Sequence, residues 1–335
     1  MKYNYIICGT DDDNIKYNYW EAIEDQDVLY LGSPYDVLKK NKIYIFLFRL
    51  SVSSRIPEWI KLCSRYFVFY KILSIIIKFT EMHKNTFCFI FYRPWYHLCK
   101  NGFLQYLKRN YTSAKFIWIF ADIVESYNGD IDIDYIKKDF DLVISFDQDD
   151  VKQYGFMYHP EIYPNKTIKN ISGYPDCDVI FLGRAKKRLS LILEIYKKLK
   201  ELEVKAEFFI VDAADDEKQF SSEIHYLKKP MAYNEYLQRL DAAKCILEIL
   251  QNPDRHGYTT RTSEAIIYGK KLISNNAGLY AASFFNKNYI NIIKTANDID
   301  PKMIKNDIKN INYPFKDELS FYNQCEAIEK ELEKE

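Results

Sequence analysis

The sequence has no surplus of either charge. Lys and Arg number 47 and Asp and Glu 47, so the formal net charge is +0, and no global field steers the chain to nucleic acid. It has no CxxC pair. Its seven Cys are scattered and odd in number, which argues against a disulfide framework and a structural zinc site. Neither GxGxxG nor GxxxxGK[ST] occurs, so hydride-transfer and ATPase readings lose their usual support. No close internal repeat is visible. The opening "MKYNYIICGTDDD" is too short and too polar for a signal peptide and reads as a first strand running into a loop. These absences predict a reducing, cytoplasmic setting. Nor does any apolar run reach the ~20 residues that span a bilayer. The nearest, "WIKLCSRYFVFYKILSIIIKF" from Trp59 to Phe79, is broken by Lys61, Arg65, Lys71 and Lys78. It reads either as an amphipathic helix covering a core or as a helix lying on the inner face of the cytoplasmic membrane, its basic residues toward anionic headgroups.

What is present is the composition of a folded protein, 48% hydrophobic and 28% charged, which excludes a disordered or fibrous chain. The 335 residues suffice for one large domain or two ordinary ones. "NYIICG" and "KIYIFLF" read as strands ending in loops. "TFCFIFY", "KFIWIF" and "DLVISF" are likewise short, apolar and rich in aromatic or branched residues. Periodic segments such as "GFLQYLKRNY" separate several of them, which predicts an α/β region with a largely parallel sheet. "MYHPEIYPNKTIKNISGYPDCD" then breaks the rhythm with three Pro, placing an interdomain crossing between about residues 157 and 177. A second alternation follows: strand "CDVIFLG", helix "LSLILEIYKKLKEL", strand "AEFFIVD", helix "MAYNEYLQRLDAA", strand "KCILEIL", helix "TSEAIIYG", strand "KKLISN". The expected organisation is an α/β domain over 1–165, a doubly wound α/β domain over 172–320 and a helical tail over 321–335. In doubly wound domains ligands gather at the carboxyl ends of the strands.

The densest polar motif, "HGYTTRTSEAIIYGKKLISNN" from His256 to Asn276, falls at such an end. It resembles the motif of retaining GT-B glycosyltransferases, in which a Glu, a Gly-aromatic-Gly turn and a second Glu eight positions on precede Ala and Gly. Gly257, Tyr258, Glu264, Ala265 and Gly269 occupy that frame. His256 stands for the first Glu and Thr259 for the second Gly. A closer resemblance is to bacterial lipopolysaccharide and capsule biosynthesis transferases. It is carried by "GYTTRTSEAIIYGKKLISNN", "DLVISFDQDDVKQYGFMYHPEIY" and "DVIFLGRAKKRLSLILEIYKKL", roughly Asp141 to Asn276. The resemblance implies two Rossmann-like domains facing across a cleft, the second binding a nucleotide-diphosphate sugar as donor substrate, with no tightly bound cofactor or metal. It also implies an acceptor saccharide, lipid-linked or free, on the first domain.

Glycosyl transfer loads negative charge onto the leaving diphosphate, and preorganised donors must meet it. Gly257 suits a tight turn or a close backbone approach. Thr259, Thr260 and the N–H groups after them suit phosphate oxygens, whereas Thr262 or Ser263 would serve as helix caps. Arg261 reads as an anion clamp or a surface ion pair. The resemblance assigns Glu264 to the donor ribose hydroxyls; the plainer account is a first-turn Glu favoured by the helix dipole. Arg184, Lys187 and Arg188 make a basic helix start, unfavourable to the dipole unless an anion binds there, and the resemblance points to Arg188 first and Arg184 second. His256 reads as a donor to phosphate or sugar, or as a structural loop residue. Lys270 and Lys271 read as solvent-facing. A general base for the acceptor hydroxyl is expected from the first domain: Asp122 after "KFIWIF", His97 in "RPWYH", or Asp147, beside Asp149 and Asp150, after "DLVISF". The acidic runs at Asp11 to Asp13 and Asp132 to Asp134 read as solvated turns, not metal sites. Two functions compete with transfer: a sugar-nucleotide epimerase or hydrolase of the same fold, and a non-catalytic nucleotide-sugar-binding protein.

Overall fold

The structure is a computed structural model. It describes residues 1–10, 19–53, 55–83, 86–164, 167–213, 223–253, 257–308 and 310–334. The chain divides into two units: Met1–His159 with Phe321–Glu335, and Pro160–Ser320. The chain leaves the first unit once and returns once, so the segment set apart at 321–335 is part of unit 1.

Unit 1 is built on a parallel sheet of order β2-β1-β3-β4-β5-β6. The strands are β1 Asn4–Cys8, β2 Val28–Leu31, β3 Phe87–Phe91, β4 Lys115–Phe120, β5 Leu142–Ser145 and β6 Met157–Tyr158. The near-continuous apolar runs of β1, β3 and β4 suit strands covered on both faces. In register, Ile6 lies opposite Leu29 on one side and Phe89 on the other. Phe89 and Phe116 stack with ring centroids 5.2 Å apart, and Trp95 and Trp118 are fully buried. The Glu58–Met82 helix packs Val68, Ile72, Ile76 and Phe79 into the same core. Strand order reverses between β1 and β3, a switch point of the kind that opens a ligand crevice.

One expected strand is a helix. "KIYIFLF" belongs to the Lys42–Val52 helix, whose start is capped by Asn41 Oδ1 accepting from the Ile43 N–H at 2.9 Å. An apolar run of this length has no periodicity that separates helix from buried strand, and the Asn cap decides it. The strand that does flank β1 is β2, with the sequence "VLYL".

Unit 2 repeats the scheme with the order β12-β11-β10-β7-β8-β9. Here β7 is Cys177–Arg184, β8 Ala206–Val211, β9 Ile224–Leu227, β10 Ala243–Glu248, β11 Lys271–Ser274 and β12 Ile290–Ile292. Numbered within the unit, this is the 3-2-1-4-5-6 order of dinucleotide-binding folds, reversing between β7 and β10. The Leu189–Glu201 helix buries Ile192, Ile195 and Leu199 against Phe208 and Ile210.

The Thr260–Ile267 helix ends just before Gly269, whose φ is +59°. A Cβ there would lie 2.8 Å from the Ile311 carbonyl oxygen and 2.9 Å from the Ile311 nitrogen. Gly269→Ala is therefore expected to lower unit 2 stability by about 1–2 kcal/mol from the left-handed backbone alone, with the backbone clash adding to it. Urea unfolding measures this; an unchanged midpoint would mean that the turn relaxes freely. Lys270 and Lys271 do not face solvent as expected. Lys270 Nζ donates to the carbonyls of Asp241 and Ala243 at 2.9 and 2.7 Å, and buried Lys271 donates to the Ile304 carbonyl at 3.0 Å. Their long stems tie the strand entry to the ends of the Tyr233–Ala242 and Pro301–Lys305 helices.

Candidate functional sites

At the switch point of unit 2, β10 ends in Glu248, a carboxylate 3% exposed. Three hydroxyls donate to it: Thr259, Ser274, and Thr262 at 3.0 Å. Burial holds its carboxyl above the ordinary range even though those three hydrogen bonds and the charge of Arg261 act to lower it. Thr259 has a second task. Its Oγ1 accepts from the Arg261 N–H at 3.1 Å and so caps the Thr260–Ile267 helix. Glu248 thus fixes the cap that aims the helix start. Sequence reading did not single it out. The available signal was an acidic residue closing an apolar strand, "KCILE", where burial makes charge costly.

Beside it, Asn276 Nδ2 donates to the Gly257 carbonyl at 2.9 Å, and Asn275 Oδ1 accepts from the Leu250 N–H at 2.6 Å. These amides hold the loops after β10 and β11. Tyr258 faces inward, its ring 5.1 Å from Phe284 and 5.8 Å from Phe315. Thr260 Oγ1 donates to Glu161 Oε2 at 3.3 Å. Arg188 reaches from the end of β7 to the end of β10. Its Nη2 donates to the Arg184 carbonyl at 2.9 Å and its Nη1 to the Ile249 carbonyl. Arg184 is exposed and pairs with Asp212 at 2.6 Å. Both Asp212 and Lys186 hold left-handed backbone at these strand ends, with φ of 57° and 45°, a strain that gathers at functional loops. His256 lies outside the described residues, as does the Asp11–Asp13 run.

Arg261 and Glu264 are brought together, but on each other. Arg261 Nη1 donates to both Glu264 oxygens at 2.7 and 2.6 Å, Tyr233 donates to Oε1 at 3.0 Å and Tyr236 to Oε2 at 2.7 Å. Glu264 has no exposed surface. The Arg261 guanidinium lies over the Tyr236 ring, 4.3 Å from its centroid. Burial opposes the Arg261 charge, but the Glu264 carboxylate outweighs it and raises the pKa. A donor ribose would meet Glu264 only by replacing one of these partners.

Unit 1 has a cavity of about 650 Å³ at its own switch point, lined by Thr10, Tyr92, Arg93, His97, Asp122 and Tyr127 among others. His97 and Asp122, two of the three expected bases, therefore share one pocket. Asp122 is exposed and accepts from the Ile123 N–H at 2.8 Å. Burial, aided by the Asp122 charge, pushes the Tyr127 phenol up to about 12. Arg93 covers the Tyr127 ring at 5.0 Å and pairs with Asp130 at 3.0 Å. Aromatic faces and carboxylates thus line one hollow. The third residue, Asp147, lies elsewhere: it is 1% exposed and caps the Gln148–Tyr154 helix, accepting from the Asp149 and Asp150 N–H groups at 3.0 Å each. Asp150 accepts from the Val124 N–H at 2.9 Å. Asp132, expected in a solvated turn, caps the Ile133–Asp139 helix and pairs with Lys100 at 3.0 Å.

No family model and no curated protein sequence matches the chain. Solved structures do. A glycosyltransferase from Rickettsia africae is 11% identical, with 99% of each chain covered and a TM-score of 0.50. A candidate UDP-N-acetylglucosamine 2-epimerase from Listeria monocytogenes is 9% identical, covering 100% of this chain and 98% of that one at 0.48. The lipopolysaccharide outer core galactosyltransferase WaaB is 10% identical, with 97% and 99% covered at 0.39. Taken with the two parallel six-stranded sheets, the full-length match to the Rickettsia glycosyltransferase gives this chain the α/β fold of the GT-B glycosyltransferases.

Proposed function

We propose that the protein is a glycosyltransferase that moves a sugar from a nucleotide-diphosphate donor to a surface-glycan acceptor of the lipopolysaccharide or capsule kind, lipid-linked or free. The observation that carries this reading is the set of arginines and the capped helix start gathered at the strand ends of unit 2. Arg188 bridges the ends of β7 and β10, the capped start of the Thr260–Ile267 helix meets the end of β10 through Thr259 and Glu248, and Arg184 at the end of β7 faces Asp212 after β8. The helix start supplies N–H groups to the diphosphate, where negative charge grows as the anomeric bond breaks. Arg184 exchanges Asp212 for a phosphate oxygen, a charge-assisted contact of similar kind. Arg188 holds the two strand ends in place. Glu248 and Glu264 are positioning residues: one fixes the cap, the other fixes Arg261. Unit 1 binds the acceptor in the Asp122 pocket, where Asp122 takes the hydroxyl proton as the nucleophile attacks.

The test is a donor screen with purified protein, reading released nucleotide and transferred sugar by mass spectrometry. Release of nucleotide diphosphate only when an acceptor saccharide is present supports transfer. Conversion of the donor without an acceptor would point to an epimerase or hydrolase. Turnover is expected to persist in EDTA, because N–H groups and arginines manage the diphosphate. Activity lost to chelator and restored by Mn²⁺ or Mg²⁺ would demand a metal-assisted mechanism instead.

A further inference from the structure

Of the eighteen large hydrophobic side chains exposed among the described residues, ten lie between residues 43 and 82. They sit on the Lys42–Val52 and Glu58–Met82 helices, which pack on one another. On the longer helix Trp59, Leu62, Tyr66 and Tyr70 recur every three or four residues and form one outer face. The opposite face holds the buried Val68, Ile72, Ile76 and Phe79. This helix is apolar on both sides, yet one side is bare: Trp59 is 69% and Tyr66 68% exposed, and Ile43 on the shorter helix 67%. Apolar surface on this scale calls for a cover.

The charge around it is one-sided. Residues 36 to 82 contain nine basic residues and three acids, Asp36, Glu58 and Glu81, in a chain whose net charge is zero. Glu58 is taken by Lys61 and Arg65. Among the described residues Lys40, Lys42, Arg49, Lys71 and Lys78 have no side-chain partner. Lys40 and Lys71, with Tyr44 and Ile75, also line a cavity of about 780 Å³ at the edge of the patch, where the one lining carboxylate, Asp36, is paired with Lys39 at 2.7 Å. Among the described residues no helix is long and apolar enough to cross a membrane.

We propose that this helical pair docks the protein on an anionic phospholipid surface. The apolar face around Trp59 and Phe46 enters the headgroup–acyl boundary, and the Lys40–Lys71 cavity takes a headgroup phosphate. The charge selects this occupant. A second copy docked about a two-fold axis would set the basic patch against itself. A nucleic acid would neutralise the lysines but leave Ile43, Phe46, Trp59 and Leu62 with no apolar partner. A bilayer with anionic headgroups answers both needs at once.

The experiment is flotation of the full chain with vesicles of phosphatidylcholine alone and of phosphatidylcholine mixed with phosphatidylglycerol, at low and high salt. Binding is expected on the mixed vesicles and is expected to weaken with salt. Each basic residue near an anionic surface contributes about fivefold in partitioning, so Lys40→Gln with Lys71→Gln loses about 25-fold. Trp59→Ser with Tyr66→Ser loses binding to the mixed vesicles as well. All four positions are surface-accessible, and circular dichroism confirms that each variant folds. Any of three results overturns the proposal: no flotation of folded protein at low salt, a concentration-dependent dimer that shields Trp59, or tighter binding to RNA than to mixed vesicles. Flotation needs neither donor nor turnover, so its outcome and that of the donor screen are read separately.

Discussion

Glu264→Gln is expected to destabilise unit 2 by about 3–5 kcal/mol, the cost of removing one partner from a buried ion pair. The substitution keeps the side chain's size, so no cavity opens. What it removes is the charge that holds Arg261 over Tyr236. For a unit of this length the loss corresponds to a melting shift of roughly 6–20 °C. A double variant that also replaces Arg261 with Met should recover part of it, because no unpaired cation then remains. Thermal unfolding of the single and double variants gives the coupling. A ribose acceptor open to ligand behaves differently: Glu264→Gln would leave the melting temperature unchanged and weaken donor binding by about 1.5–3 kcal/mol. That pattern would remove the internal role.

Asp122→Asn should lower turnover by roughly 10²–10⁴-fold, the usual weight of general-base catalysis, with donor affinity and stability nearly intact. The structure gives this residue few other duties. It is exposed, lines the unit 1 pocket, and its carboxylate accepts from the neighbouring Ile123 N–H. Calorimetry and steady-state kinetics on one preparation separate the two quantities. Near-normal turnover would transfer the role to His97, which lines the same pocket. Lost donor affinity would mean that Asp122 contacts the nucleotide and not the acceptor. Asp147 is a poor substitute, because its oxygens are committed to the cap of the Gln148–Tyr154 helix.

Much of the fold was legible because strands such as "KFIWIF" and "CDVIFLG" are short apolar runs bounded by polar loops. Helices such as Leu189–Glu201 carry a clear 3.6-residue period. Where both faces of an element are apolar, the pattern carries no period to read. That is why Lys42–Val52 resembled a strand, and why a bare aromatic face on Glu58–Met82 was not separable from a buried one. The candidate site was legible as a location: the polar motif does fall at the strand ends of unit 2. Its internal division of labour was not. Whether Glu264 faces a ligand depends on Tyr233 and Tyr236, some thirty residues away in sequence, and the role of Glu248 depends on Thr259, Thr262 and Ser274 meeting it from two other elements. Such convergence is a property of tertiary packing, and spacing along the chain does not encode it.

The return of the chain to unit 1 sets an order of assembly. Phe321 packs edge-on to Tyr5 and Tyr19, and the Tyr5 hydroxyl donates to Glu329 at 3.1 Å, so the Phe321–Leu332 helix seals the face of the very first strand. On the ribosome that helix emerges only after all of unit 2, a wait of roughly 10–30 s at about 5–20 residues per second. Unit 2, continuous in the chain, can close while it is being made. Unit 1 must wait with Tyr5 and Tyr19 uncovered by that helix, so the nascent chain is most exposed to misassembly around β1.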